Sequence, residues 1–259
     1  MNDIVTVSSL EKGILHIRLN RPDQLNALSQ AVLQRLFVVF NEAKHDAAVL
    51  AILLTGEGKG FCAGADIKEL LPLDGQSGLV FANLGQQVFS ALESLGKPSL
   101  AAIHGFAFGG GCELAMAATM RIAANNVVFG QPEIKLGVIP GFGGTQRLSR
   151  LIGKGRALDI CLTGRRFQAE EALQWGFITE IVAPSDLEQR AISILQELTS
   201  LSSSALESIM TVIDQGYDLS LQQAFALEAA HFGLACSSPN KNEGVSAFLE
   251  KRTALFKAS

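Results

Sequence analysis

Two glutamates beside glycine-rich segments are the residues with the clearest chemical potential in this sequence. Glu113 follows three glycines at 109–111 that lead directly into a predicted helix. Residues 114–118 (LAMAA) make this helix apolar on every side, so it is expected to be buried, and a buried carboxylate requires a specific reason. A carboxylate in the first turn also interacts favourably with the helix dipole, which leaves open a purely structural role for Glu113.

The second glutamate, Glu133, lies at the start of a long glycine-rich segment. Pro132 fixes the backbone immediately before it, and four glycines follow within residues 137–144. A single glutamate in such a segment is also typical of an ordinary surface loop. Glu133 is therefore a second candidate carboxyl group, and its structural alternative stays open.

Backbone N–H groups in two glycine-rich loops form another kind of candidate site. The segment FCAGAD at 61–66 is predicted to join a strand to a helix, and such a turn exposes N–H groups that can hold an oxyanion. The glycines at 109–111 precede a helix N-terminus, which adds unpaired N–H groups and the positive end of the dipole. This second loop lacks the Lys-Ser or Lys-Thr of a P-loop and the third glycine of a dinucleotide fingerprint. Both loops can hold negative charge, although most glycine-rich turns only reverse the chain.

Two other residues with reactive side chains lie near these loops. Cys112 is at the predicted helix N-terminus, where a thiolate is favoured. Because no histidine precedes it in a triad-like pattern, we interpret Cys112 as a packed small residue. His104 ends a predicted buried strand, and we interpret it as a structural histidine.

The composition excludes several function classes. The chain has 259 residues and a mass of 27.5 kDa, which fits one large or two modest domains. Its 21 basic and 25 acidic residues give a formal net charge of −4, which argues against a nucleic-acid partner bound through its phosphates. None of the four histidines lies at metal-ligand spacing from another, so no metal site is expected.

Cysteine usage and hydropathy indicate the cellular setting. The four cysteines, at positions 62, 112, 161 and 236, include no Cys-x-x-Cys pair, so neither a zinc ribbon nor a disulfide framework is expected. This pattern favours a reducing compartment, and we expect a cytoplasmic protein. The first residues, MNDIVTV, lack the regions of a signal peptide, and the absence of an 18-residue apolar run predicts no membrane span.

Alternating strand and helix patterns surround the loops and must position them. A hairpin is expected over the first twenty residues, followed by a helix over 30–44 with Ser29 as its N-cap and a buried strand at 49–55. The next elements are predicted in this order: a loop at 72–78, a helix at 79–94, a strand at 97–105, a loop at 106–111, a helix at 112–120 and two short strands within 121–130.

The last part of the chain has a different pattern. After a strand at 177–182, only helices are predicted, at 185–199, 203–214, 220–235 and 240–251. Strand–helix units followed by a helical tail indicate an α/β layered architecture. An open doubly wound sheet is the simplest form of that class.

Together the three glycine-rich loops resemble those of the crotonase family, to which enoyl-CoA hydratases belong. The matching segments are FCAGADI at 61–67, HGFAFGGGCELAM at 104–116, FGQPEIKLGVIPGFGGTQRL at 129–148 and SAFLEKR at 246–252. The similarity extends from about residue 14 to the end of the chain. It implies an α/β fold in which ββα units form a spiral, with an acyl-CoA site in the core (1–195) and a helical oligomerisation region (196–259).

The resemblance also implies roles for individual residues. Glu113 and Glu133 would be the catalytic carboxyl groups, and the N–H groups of Ala65 and Gly110 would form an oxyanion hole for the thioester carbonyl. Further residues would contact the acyl-CoA, and the last three of them match positions that act from a neighbouring subunit in the family: Ala63, Asp66, Ile67, Lys68, Phe232, Phe248 and Lys251.

The reaction implied by the resemblance is reversible syn hydration of 2-trans-enoyl-CoA to 3-hydroxyacyl-CoA, in fatty-acid or related acyl-CoA degradation. CoA is part of the substrate, so no cofactor is expected. We favour Glu113 as the base and Glu133 as the acid, and we expect the coupled pair to carry one proton near neutral pH.

Two other functions stay open. The same pocket would suit a double-bond isomerase or another crotonase-family reaction on a specialised acyl-CoA, although isomerases of the family commonly keep only one of the two glutamates. A non-catalytic acyl-CoA-binding protein would need neither glutamate. The expected partners are an acyl-CoA thioester and further copies of the chain, in a homotrimer or a hexamer of two trimers.

Overall fold

The computed structural model describes residues 3–256 and begins with the predicted hairpin. Strands β1 (Val5–Leu10) and β2 (Ile14–Leu19) pair antiparallel, with Val5 opposite Leu19. A 3-10 turn over Glu11–Gly13 joins them. Lys12 and Gly13 adopt positive φ angles of 58° and 73° in this turn, which reverses the chain within three residues.

The hairpin forms one edge of a six-stranded sheet in the order β1-β2-β3-β4-β6-β9. Its other strands are β3 (Ala51–Gly56), β4 (Ser99–Ile103), β6 (Met120–Ala124) and β9 (Glu180–Val182), and all pairs beyond the hairpin are parallel. Every residue of β3 and β4 is buried, as the continuous apolar runs of parallel strands predict.

Helices cover both faces of this sheet. Ile52 and Leu54 of β3 pack into one core with helices α1 (Gln30–His45) and α3 (Gly75–Glu93). Leu53 points to the opposite face, where it packs into a second core with helix α8 (Leu187–Thr199). The predicted N-cap of α1 is confirmed, because the Ser29 hydroxyl accepts a hydrogen bond from the Val32 N–H at 3.3 Å.

A second, three-stranded sheet carries the segments of greatest chemical interest. It consists of β5 (Phe106–Phe108), β7 (Val128–Gly130) and β8 (Arg166–Gln168) in the order β5-β7-β8. The chain passes from β4 through β5 into helix α4 (Gly110–Ala117), and from β6 through β7 into a 3-10 turn at Glu133–Leu136. A strand of each sheet followed by a helical turn is therefore the repeating unit.

Three predicted boundaries are wrong. Residues 106–108 form β5 instead of a loop, because they pair with β7 through backbone hydrogen bonds that no hydrophobic pattern predicts. Helix α3 begins at Gly75 inside the predicted 72–78 loop, because Asp74 and Ser77 form a capping box. Helix α4 ends at Ala117, and the predicted end at residue 120 already belongs to β6.

The remaining helices lie around the second sheet and in the C-terminal part of the described chain. They are α2 (Ile67–Leu70), α5 (Gly144–Ile152), α6 (Lys154–Thr163), α7 (Ala169–Gln174), α9 (Ser203–Gly216), α10 (Leu221–Cys236) and α11 (Pro239–Glu250). Helices α9 and α10 pack against each other. None of the helices within residues 3–256 combines the length and apolar character needed to cross a membrane.

A ring from the segment before α5 wedges between α3 and α4. Phe142 is buried, and its ring lies edge-on to Phe81 and Phe89 of α3, with centroids 5.1 and 5.7 Å away. The ring occupies the space in which a side chain at Gly85 would begin. The absence of a β-carbon at Gly85 therefore allows α3 to approach the segment before α5.

Two glycines of α3 test this packing as a matched pair. A Gly85→Ala methyl group would overlap the Phe142 ring, and overpacking of this kind costs about 1–3 kcal/mol. A Gly78→Ala methyl group would meet no atom within 4 Å, so the better helix propensity of alanine should stabilise α3 by up to about 1 kcal/mol. Urea-induced unfolding measures both effects, and changes of the same sign would contradict the proposed packing.

Candidate active site

The ends of β5 and β7 bring the two candidate glutamates to one place. Gly109 follows β5, and its N–H donates to the Gly130 carbonyl at the end of β7 at 2.9 Å. Its φ of 49° and ψ of −124° suit only glycine, and a β-carbon there would lie 2.7 Å from Oε1 of Glu133. The glycine before α4 thus leaves room for the carboxyl group that follows β7.

Glu113 is buried in the first turn of α4, with only 1% of its surface exposed. Its Oε1 accepts hydrogen bonds from the backbone N–H groups of Phe142, at 2.9 Å, and Gly144, at 2.6 Å. Gly144 is the first residue of α5, so the carboxyl group lies at the N-terminus of a second helix. These two donors give the buried carboxyl group a fixed position.

Glu133 begins the 3-10 turn after β7 and is partly buried. Its neighbour Gln131 is fully buried, and with its NH₂ group oriented toward Glu133 it donates to Oε1 at 3.0 Å and to Oε2 at 3.1 Å. Gln131 is absent from the residues predicted from the sequence. A polar residue at the end of a buried strand, immediately before Pro-Glu, is the signal that could have indicated it.

Both carboxyl groups have a raised proton affinity. Burial, followed by the charge of Glu133, raises the pKa of Glu113 to about 8, and the N–H groups of Gly144 and Phe142 oppose this shift. Burial raises the pKa of Glu133 to about 7. Near neutral pH the pair therefore retains a proton that two exposed glutamates would have lost.

Two backbone N–H groups face the same space beside α4. A β-carbon on Gly110 would lie 3.3 Å from the Ala65 nitrogen, and a β-carbon on Gly64 would lie 3.3 Å from the Gly110 nitrogen. The Gly64 carbonyl accepts a hydrogen bond from the Leu28 N–H, and the Asp66 N–H donates to the Leu28 carbonyl, which makes a parallel bridge. The N–H of the intervening Ala65 therefore points away from Leu28. Within residues 3–256, neither the Ala65 N–H nor the Gly110 N–H donates to a protein acceptor.

The other residues predicted near the oxyanion site have different surroundings. Ala63 and Asp66 are partly buried, and the Asp66 side chain caps α2 and forms an ion pair with Arg21 at 3.1 Å. Ile67 and Lys68 are exposed at the start of α2. The side chain of Asp66 is thus engaged within the protein, whereas those of Ile67 and Lys68 are open to a ligand.

The three residues predicted from the C-terminal part lie on exposed surfaces. Phe232 in α10 and Phe248 in α11 are 71% and 83% exposed, and Lys251 ends α11 in the left-handed conformation. No hydrogen bond or ion pair within residues 3–256 joins these three residues to the segment 61–68.

The other reactive side chains have structural surroundings. Burial raises the pKa of the Cys112 thiol well above its usual value, so the thiol is not a nucleophile in this site. The His104 ring lies 2.9 Å from the Gly58 carbonyl. Residues 3–256 contain no group of three or more His, Cys, Asp or Glu side chains that could hold a metal ion.

The sequence relatives of this chain carry similar descriptions. A family model described as enoyl-CoA hydratase/isomerase matches residues 9–259. The chain is 43% identical over 243 residues to a short-chain-enoyl-CoA hydratase from Clostridium acetobutylicum, covering 93% of both proteins. It is 40% identical over 247 residues to a crotonyl-CoA hydratase from Syntrophomonas wolfei, covering 95% of both.

Solved structures show the same architecture. The crystal structure of an enoyl-CoA hydratase from Bacillus anthracis has a TM-score of 0.95 and 35% identity, covering 99% of this chain and 100% of that one. An enoyl-CoA hydratase from Mycobacterium smegmatis has a TM-score of 0.93 and 28% identity, covering 97% and 98%. These similarities confirm the α/β spiral fold with a helical C-terminal part that the resemblance implied.

The raised proton affinity of Glu113 predicts how stability depends on pH. Its pKa of about 8 in the folded protein lies above the ordinary 4.5, so ionising the folded state costs stability as pH rises between these values. Glu113→Gln cannot ionise and should gain stability relative to the parent protein from about pH 5 to pH 9, at up to about 1.4 kcal/mol for each unit of pKa difference.

Urea unfolding at several pH values measures this difference. Glu170→Gln, at an exposed position of α7, is the matched control for replacing a carboxyl group that is not buried. A Glu113→Gln difference that is constant over this range would contradict the proton affinity described for Glu113.

Proposed function

The chain belongs to the enoyl-CoA hydratase/isomerase family, and we propose that it catalyses the reversible syn hydration of 2-trans-enoyl-CoA to 3-hydroxyacyl-CoA. One observation carries the proposed mechanism: two carboxyl groups with raised pKa values meet beside two unpaired backbone N–H groups. The two carboxyl groups can transfer protons, and the two backbone N–H groups can stabilise a developing negative charge.

The unpaired N–H groups of Ala65 and Gly110 would bind the thioester carbonyl oxygen. Addition of water to the β-carbon moves negative charge onto this oxygen, so donors aimed at it stabilise the transition state more than the substrate. Gly110 is also the first residue of α4, and the positive end of that helix dipole adds to the stabilisation.

Glu113 and Glu133 would supply the acid and the base. Hydration requires one ionised carboxyl group to take a proton from water and one protonated carboxyl group to deliver a proton to the α-carbon. The raised pKa values support a pair that shares one proton near neutral pH. Sequence reasoning favours Glu113 as the base and Glu133 as the acid, and because the two groups titrate together we assign the roles to the pair.

The remaining predicted residues would bind the CoA part of the substrate. Ile67 and Lys68 are exposed beside the proposed oxyanion hole, and a lysine there can bind phosphate. We propose the same CoA-binding role for Ala63 and Asp66, where the Asp66 side chain would act by shaping α2. The names of the two sequence relatives, short-chain-enoyl-CoA and crotonyl-CoA hydratase, support a short acyl chain and a place in acyl-CoA degradation.

We also propose that residues 196–259 assemble the chain into a homotrimer or a hexamer. Helices α10 and α11 expose large apolar side chains, and contiguous exposed apolar surface is typical of a subunit interface. These side chains include Phe225, Phe232, Leu234, Phe248 and Leu249. In such an assembly, Phe232, Phe248 and Lys251 would reach the CoA of a neighbouring subunit.

The state of the cysteines supports a reducing location. All four are free thiols, and Cys236 is exposed. An exposed free thiol persists in the reducing cytoplasm, which is where we place this enzyme.

Loss of the conjugated-thioester absorbance of crotonyl-CoA tests the proposed reaction. Glu113→Gln and Glu133→Gln should each lower kcat by a factor on the order of 10² or more, because each removes a group that transfers a proton in the transition state. Full activity in both variants would exclude the two-glutamate mechanism.

A control variant and a test of the proposed oxyanion hole complete this assay. Glu170→Gln on α7 should retain the parent rate. Gly110→Ala would place a methyl group 3.1 Å from the Phe142 ring and 3.3 Å from the Ala65 nitrogen, so it would crowd both the proposed oxyanion hole and the segment that holds Glu113, and its kcat should fall.

The oligomeric state is measured by light scattering at micromolar concentration. A trimer or hexamer is expected, and Phe232→Asp should weaken it, because the substitution places a charge on an exposed apolar surface that the assembly would bury. A parent protein that is monomeric and fully active would contradict the proposed assembly.

A further inference from the structure

The backbone donors to Glu113 belong to one short segment, residues 142–144. Phe142 donates its N–H to Glu113, and its carbonyl oxygen accepts a hydrogen bond from Nη1 of Arg147 at 2.7 Å. The same residue is therefore bound on one side by the carboxyl group and on the other by a guanidinium group. Movement of Arg147 would shift the segment that fixes Glu113.

Arg147 is itself held by helix α3. Its Nε and Nη2 donate to the two carboxylate oxygens of Glu93 at 2.5 and 2.7 Å, a bidentate arrangement. The Arg147 side chain is only 15% exposed and that of Glu93 is 37% exposed, so the arginine side of the pair is shielded from solvent and the glutamate side is open to it. Next to it, the amide of Gln86 donates to the Gly141 carbonyl at 2.9 Å. Helix α3 thus holds the segment before α5 at two points.

The guanidinium group also affects Glu113 through its charge. Its positive charge lowers the pKa of Glu113, in opposition to burial and to Glu133. Other titratable or charged groups lie around Glu113 or line the same cleft as the ion pair: Cys112 on α4, Cys161 on α6, Glu207 and Asp214 on α9, Asp218 just after α9, and Arg150 on α5. Of these cleft groups, Arg150 pairs with Asp218, and burial and Glu93 raise the pKa of Asp214.

We propose that the Glu93–Arg147 ion pair is a positioning device for Glu113, which holds the donor segment 142–144 in place and balances the charge that acts on the glutamate pair. This inference rests on the proposed hydratase function. It gives α3 a role beyond packing, because the helix supplies the carboxylate that orients Arg147.

The two members of the ion pair should have opposite effects on the pH dependence of catalysis. Arg147→Met removes a positive charge near Glu113, so protons are held more tightly and the kcat profile moves to higher pH. Glu93→Gln removes a negative charge and leaves Arg147 without its counter-ion, so the profile moves to lower pH. Because Glu113 and Glu133 titrate as a coupled pair, a change in the charge that acts on Glu113 moves the apparent pKa values of the pair in one direction, whichever glutamate is the base.

The experiment measures kcat for crotonyl-CoA hydration from about pH 5.5 to pH 9.5 in the full-length protein. Relative to the parent, the ratio of kcat at low pH to kcat at high pH should fall about threefold or more in Arg147→Met and rise in Glu93→Gln, as for a pKa change of about half a unit. Arg147→Lys retains the positive charge but cannot form the bidentate contact with Glu93, so its kcat should fall while its pH profile stays closer to that of the parent protein.

Arg150→Met is the matched control on the same helix. Arg150 pairs with the exposed Asp218 at 3.4 Å and makes no hydrogen bond to residues 142–144 within the described chain. Its substitution should leave the profile unchanged. Unfolding curves for every variant separate loss of folding from loss of catalysis, and if Arg147→Met does not fold, Glu93→Gln and Arg147→Lys carry the test.

The outcomes distinguish this inference from the proposed function. Opposite shifts in Arg147→Met and Glu93→Gln would support it, because a general loosening of the site cannot move the profile in two directions. Uniform loss of kcat at all pH values, or shifts in the same direction, would overturn it while leaving the hydratase function intact. A parent protein without hydration of crotonyl-CoA would instead overturn the proposed function.

Discussion

The carboxyl group of Glu113 is buried inside the protein, and two backbone N–H groups determine where it lies. A carboxylate in an apolar helix would be costly without partners, and the donors from Phe142 and Gly144 offset part of that cost while leaving the pKa raised. The rest of the site depends on this arrangement. The N-terminus of α4 provides one proposed oxyanion donor, and the N-terminus of α5 fixes Glu113, one of the two proposed acid–base groups, beside it.

Glycine residues allow the backbone to approach the two carboxyl groups closely. At Gly144 a β-carbon would lie 2.8 Å from Oε1 of Glu113, and at Gly109 it would lie 2.7 Å from Oε1 of Glu133. Side chains at these positions would displace the carboxyl groups. Gly85 has the equivalent function for the Phe142 ring, which connects α3 to the donor segment. The glycine-rich loops are thus places where backbone and side chains approach closely, as well as turns.

Much of the fold follows from local patterns. The antiparallel hairpin, the Ser29-capped helix, the buried strands β3 and β4 and the four C-terminal helices are all predicted, because period and capping signals are strong there. The three-residue strands β5 and β8 are missed, since their backbone pairs with β7 across long sequence separations. Gln131 is missed for a different reason: a polar residue beside Pro-Glu is equally typical of a surface loop, and only its burial and its contact with Glu133 reveal its role.

The sequence by itself determined the family and the class of chemistry, because three glycine-rich motifs in fixed order are specific, and it singled out the two glutamates as the proposed catalytic pair. The tertiary structure decided what those residues experience. It placed the β5 and β7 ends side by side, brought the Ala65 and Gly110 N–H groups close together with no acceptor among the described residues, and set the Glu93–Arg147 pair against the donors of Glu113. Burial and charge proximity are properties of contacts between distant segments, and for that reason the raised proton affinities could be read only from the folded chain.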